Sequence, residues 1–77
     1  MKMSQISVNT AKEMILDKLE EKIEDGRKPM VEFRNIYKGK RKWSPIFFKA
    51  GHELDEENED LKIKMKFGFH RIVKTEH

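Results

Sequence analysis

Between residues 10 and 26 the apolar residues Ala11, Ile15, Leu19 and Ile23 return every four positions, and Leu16 widens the stripe. That period lays them along one face of a helix. Thr10 and Glu13 have the spacing of a capping box, in which each side chain satisfies a backbone N–H at the helix start. Gly26 suits the left-handed residue that closes a helix. The acids Asp17, Glu20, Glu21, Glu24 and Asp25 fall mostly off the stripe. The first predicted element is an amphipathic helix with an acidic outer face.

Beyond residue 29 the period shortens toward two. "MVEFRNIYK" (30–38) and "WSPIFFKA" (43–50) mix β-branched and aromatic residues with polar ones, and the intervening "KGKRK" has Gly39 to turn the chain. This predicts a hairpin. Pro45 has no N–H to give a ladder, so its strand lies at an edge or begins after it. Phe47 and Phe48, adjacent on a strand, would face opposite sides. "GHELDEENED" (51–60) reads as an acidic, mobile loop with at most one helical turn. From Leu61 the alternation is clearest, with Ile63, Met65, Phe67 and Phe69 on one side and Lys62, Lys64, Lys66 and His70 on the other. This predicts one strand over 61–73.

The expected fold is α+β: the N-terminal amphipathic helix packed on one face of a three-stranded antiparallel sheet, or a four-stranded one if Ile6 and Val8 add a strand. In it Ile15, Leu19 and Ile23 meet Ile63, Met65 and Phe67. The order helix, strand, strand, strand resembles the first four elements of a double-stranded-RNA-binding domain, without its closing helix. The resemblance is one of topology and assigns no residue a role.

Seventy-seven residues make a single small domain, 1–77, with 1–9 and 75–77 expected to be flexible ends. Charged residues outnumber hydrophobic ones, 40% to 36%, a balance that leans toward disorder. The periodic stripes argue against it. The chain has no cysteine, which excludes disulfides, thiolate metal sites and cysteine nucleophiles. No apolar run approaches the roughly 20 residues that span a bilayer, and the start has no signal-peptide core. A cytoplasmic protein without membrane contact is expected.

Charge changes the picture more by its order than by its total of +3. Residues 1–25 carry four Lys against six acids, and residues 26–50 carry eight Lys or Arg against Glu32 alone. Residues 51–60 hold six acids and no cation; residues 61–77 hold five cations and Glu76. If the helix covers one sheet face, positive charge collects on the other and at the hairpin. This is the footprint of a phosphate-backbone binder. The candidate contacts are Arg34, Lys38, Lys40, Arg41, Lys42, Lys49, Lys62, Lys64, Lys66 and His70, with Trp43 and Phe48 as stacking platforms for unpaired bases. Phe33, Phe67 and Phe69 are assigned to the core. The acidic loop is a candidate shield for the basic face.

Catalysis finds no support. His52, His70 and His77 share no spacing with a nucleophile, and there is no glycine-rich phosphate loop. His52, Glu53 and Asp55 lack the pattern of a metal site, and no cofactor is implied. The sequence reading is a small non-enzymatic module contacting RNA or single-stranded DNA through a basic sheet face and hairpin. The alternative is a protein-interaction module, an inhibitor or regulatory subunit, using exposed aromatics and charged blocks. A homodimer is a third possibility for so small a core.

Overall fold

The computed structural model describes residues 6–75. The first helix, α1 (Val8–Glu24), begins one turn earlier than the capping box implied. Ser7 is the N-cap: its backbone is extended and its Oγ accepts the Thr10 N–H at 3.1 Å. Thr10 therefore sits inside the first turn, and Val8 opens the helix rather than a strand. No fourth strand forms among the described residues. The far end closes as expected. Gly26, at φ +76°, donates to the Ile23 carbonyl and Arg27 to that of Lys22, the paired bonds of a Schellman motif. Ala11, Ile15 and Leu19 are buried, whereas Ile23, in the last turn, is exposed.

The predicted hairpin over 30–50 does not form. β1 (Met30–Glu32) is three residues long and runs straight into the short helix α2 (Phe33–Tyr37). Residues 38–40 turn the chain, with Lys38 and Gly39 both at positive φ. A 3₁₀ turn (Arg41–Trp43) then leads into α3 (Ser44–Glu57). Aromatic and branched residues favour strands only where a sheet supplies neighbours, so their presence did not decide the matter. Pro45 is in the first turn of α3, where its missing N–H costs nothing. Phe47, Ala50, Gly51 and Leu54 form the buried stripe of this helix. That stripe extends into the acidic stretch read as a loop, so most of "GHELDEENED" is helical.

The long strand over 61–73 is in fact two strands, β2 (Leu61–Lys66) and β3 (Phe69–Lys74). Phe67 and Gly68, at φ +55° and +79°, form the two-residue connection, and Lys66 pairs with Phe69. Positive φ at both positions marks a type I′ turn, the tight hairpin turn that matches strand twist. The sheet has the order β1-β3-β2, all antiparallel. The turn reverses the expected facing of the residues beyond it. His70, opposite Met65, now looks toward the helices, and Phe69, opposite Lys66, looks away. Helix, strand, helix, helix and hairpin replace helix and three strands, so the topological likeness to the double-stranded-RNA-binding domain does not hold.

The fold is α+β, with the helices packed against this sheet. The core joins Ala11, Ile15 and Leu19 to Val31, Phe33, Phe47, Ala50, Leu54, Leu61 and Ile72. α1 packs on α3, β1 and α2, and α3 packs on β2. Met65 and Phe67, expected beneath α1, are 64% and 86% exposed. At Gly51 a Cβ would lie 2.6 Å from Phe33 Cζ and 2.9 Å from Ile63 Cδ1. Glycine is what lets α3 approach the sheet this closely. Gly51→Ala should therefore destabilise the domain by about 1–3 kcal/mol despite alanine's better helix propensity. A denaturant midpoint that rose in this variant would mean that α3 sits further from Phe33.

Candidate nucleic-acid interface

α3 runs away from the hairpin tip. Near its start Phe48 contacts His70, the residue after Phe69, with ring centroids 4.7 Å apart at 78°. Further along, Asp55 Oδ2 accepts the Ile63 N–H at 2.9 Å. The start of α3, the basic turn leading into it and the tip of β2–β3 therefore share one end of the molecule. The acidic second half of α3 lies at the other.

Among the described residues, most cations of that first end have no carboxylate partner. Lys38, Lys40, Arg41 and Lys42 are exposed on the α2–α3 connection, and Lys40 Nζ stands 4.7 Å from the centroid of the Trp43 ring. Trp43 is half-buried and stacks on Phe47 at 22°, so its ring is not the open platform expected. Phe48, by contrast, is 42% exposed on α3 beside the exposed Lys49. It lies edge-on between His52 and His70, and His70 is half-buried against it. Lys62, Lys64 and Lys66 project from the outer sheet face as expected. Arg34 reaches that face from α2: its guanidinium lies 4.0 Å from the Phe69 ring centroid, and its Nε donates to Glu32 at 2.9 Å.

The residues proposed from sequence thus fall into a basic turn, the outward side of α3 and the outer sheet face. Three side chains at this surface carried no such signal. Phe67 and Phe69 have the alternation of core residues, and Arg71, which donates to Glu32 at 2.8 Å on the outer face, lies outside the lysine row. Gly68 was the one hint of a turn, without the Asn or Asp that usually precedes glycine there.

The acids are occupied elsewhere. Lys12 on α1 bridges Glu53 at 2.8 Å and Glu57 at 2.9 Å, so these carboxylates tie α3 to α1 and do not shield the basic surface. His52, Glu53 and Asp55 also diverge, to Phe48, Lys12 and the Ile63 N–H respectively, and do not converge on a metal. The hydrogen bond from Lys12 holds the Glu53 carboxyl below its ordinary 4.5, and the two carboxylates raise Lys12 above 10.5. A depressed carboxyl pKa contributes stability above the unfolded value and loses it as pH falls through the folded one. The Lys12–Glu53 tie should therefore weaken as the pH falls below 4.5 and through the lowered Glu53 value. Lys12→Met should return Glu53 to ordinary titration, followed by carboxyl NMR. An unchanged Glu53 curve would show that the bridge is not populated in solution.

No known family, curated protein or solved structure matches the chain. No described helix is long and apolar enough to cross a membrane.

Proposed function

We propose that this chain is a non-enzymatic module for single-stranded nucleic acid, RNA or DNA, which it meets with the end carrying the basic α2–α3 connection, the start of α3 and the hairpin tip. The observation that carries this is the sorting of groups along α3. Exposed cations and rings gather at one end, while at the other Glu53 and Glu57 are tied to Lys12. Cations that track phosphates, interleaved with rings that stack on bases, are the two parts of a single-strand binder.

The order α1, β1, α2, α3, β2, β3 is also that of a winged helix-turn-helix, an analogy of fold that would favour duplex DNA. The side chains of α3 argue otherwise. Its exposed residues include Pro45 and Phe48, which have no group to read a base edge, and Glu56 and Glu57, which would meet phosphates with like charge. That leaves Ser44, Lys49 and His52 as donors to a major groove.

Fluorescence anisotropy with matched single-stranded and duplex oligonucleotides across a salt series tests the proposal. Single strands should bind more tightly, with log K falling linearly in log salt by about 0.7 for each phosphate neutralised. Replacing Lys62, Lys64 and Lys66 together by Gln should leave the fold intact and flatten that slope by up to about 2. No binding at low salt would favour a protein partner at this end instead, and tighter duplex binding would favour the fold analogy.

A further inference from the structure

The outer sheet face holds a feature that nucleic-acid binding does not need. A groove of about 570 Å³ runs over β2, β3 and the approach to β1. Its charged lining is Lys28, Lys64, Lys66, Arg71 and Lys74, with no carboxylate among the lining residues. Its apolar lining includes Met30, Met65 and Val73. A space of this size suits a small organic molecule.

Arg71 shows what the groove lacks. Its side chain is 17% exposed, Nη2 donates to Glu32, Nη1 lies 3.0 Å from the Met30 sulfur, and the buried Nε–H has no acceptor. Glu32 is shared with Arg34, so one carboxylate serves two guanidiniums. An anion in the groove would meet the exposed part of the Arg71 guanidinium and the lysine ammoniums, whose charge the single Glu32 carboxylate does not balance.

We infer that this groove binds an amphipathic anion with a hydrocarbon body and a carboxylate or phosphate head. The head lies against Arg71 and the lysine rim, and the body lies on Met30 and Val73. The hydrogen-bonding side chains of the lining are donors, which favours a ligand head that accepts over a sugar or base that must also donate. Methionine adapts its unbranched side chain to an irregular apolar body. The inference stands apart from the nucleic-acid proposal; if both hold, the two ligands compete for Lys64 and Lys66.

The test uses the full chain with ¹³C-methyl methionine and dodecanoate below its micellar concentration. Saturable shifts of the Met30 methyl are expected, with dodecanol, acetate and adenosine monophosphate each binding at least about tenfold more weakly. Arg71→Gln should weaken dodecanoate by roughly tenfold or more, the worth of one charge-assisted hydrogen bond. Because Arg71 also holds Glu32, the double variant Lys64→Gln/Lys66→Gln provides a second reading and should weaken binding while preserving the fold. Dodecyl phosphate should bind like dodecanoate. Anionic phospholipid vesicles should fail to displace free dodecanoate, whereas displacement would assign the site to a membrane surface and overturn the small-ligand proposal. Equal binding of dodecanol, tight binding of the nucleotide, or absence of saturable methyl shifts would likewise overturn it.

Discussion

Phe47→Ala should cost about 3–5 kcal/mol, a large share of the stability of a domain this size. Phe47 is fully buried, with Phe33, Tyr37 and Trp43 at ring-centroid distances of 6.1, 5.5 and 6.4 Å. Those partners come from α2 and from the turn before α3. Removing the ring would leave a cavity between elements too short to hold their shape alone. Isolated helices shorter than about 12 residues are marginal in water, and α2 has five residues. The loss should therefore reach beyond α3 and loosen the basic connection as well. Urea denaturation followed by far-UV circular dichroism measures it. Phe48→Ala is the control, since that neighbouring ring is partly exposed, and it should cost far less. Equal losses at the two positions would mean that α3 is rotated from the orientation described.

That contrast also shows what the sequence could convey. The apolar spacing of α1 and the termination at Gly26 were legible because they are local: stripe and C-cap each need only one turn of chain. The fold class was legible too, but not the assignment of strands within it. The stretch 30–50 holds enough aromatic and branched residues for a sheet. Its helical stripe of Phe47, Ala50 and Leu54 was masked by the adjacent Phe48 and by a buried glycine, an unfavourable residue inside a helix. Gly51 is explained by Phe33 and Ile63, which reach it from distant parts of the chain. The candidate site was legible as charge, since the lysines and arginines named from sequence are exposed or half-exposed. Its aromatic part was not. Trp43 turned inward onto Phe47, and Phe67 and Phe69 turned outward, because a single tight turn decides which way those two rings point.

Phe67→Asn should separate stability from function at that turn. Phe67 is 86% exposed, takes φ +55°, and has the Lys66 ammonium 5.6 Å from its ring centroid. A bulky residue in the left-handed region is strained by about 1 kcal/mol, and Asn followed by Gly is the favoured pair for a type I′ turn. The contact with Lys66, exposed to water, returns at most about 0.5–1 kcal/mol. The variant should therefore keep its stability or gain up to roughly 1 kcal/mol. On the single-strand proposal, a ring held at cost in water with little to gain inside the molecule is there to meet a base. The same change should then weaken oligonucleotide binding by about 1–3 kcal/mol, the worth of one stacked base. The salt slope should stay the same, because no charge is removed. Thermal melting and anisotropy on the same samples give both numbers. A drop in stability would show that Phe67 packs against the hairpin after all. Unchanged affinity would remove the tip from the interface and leave the basic connection and Phe48 to carry it.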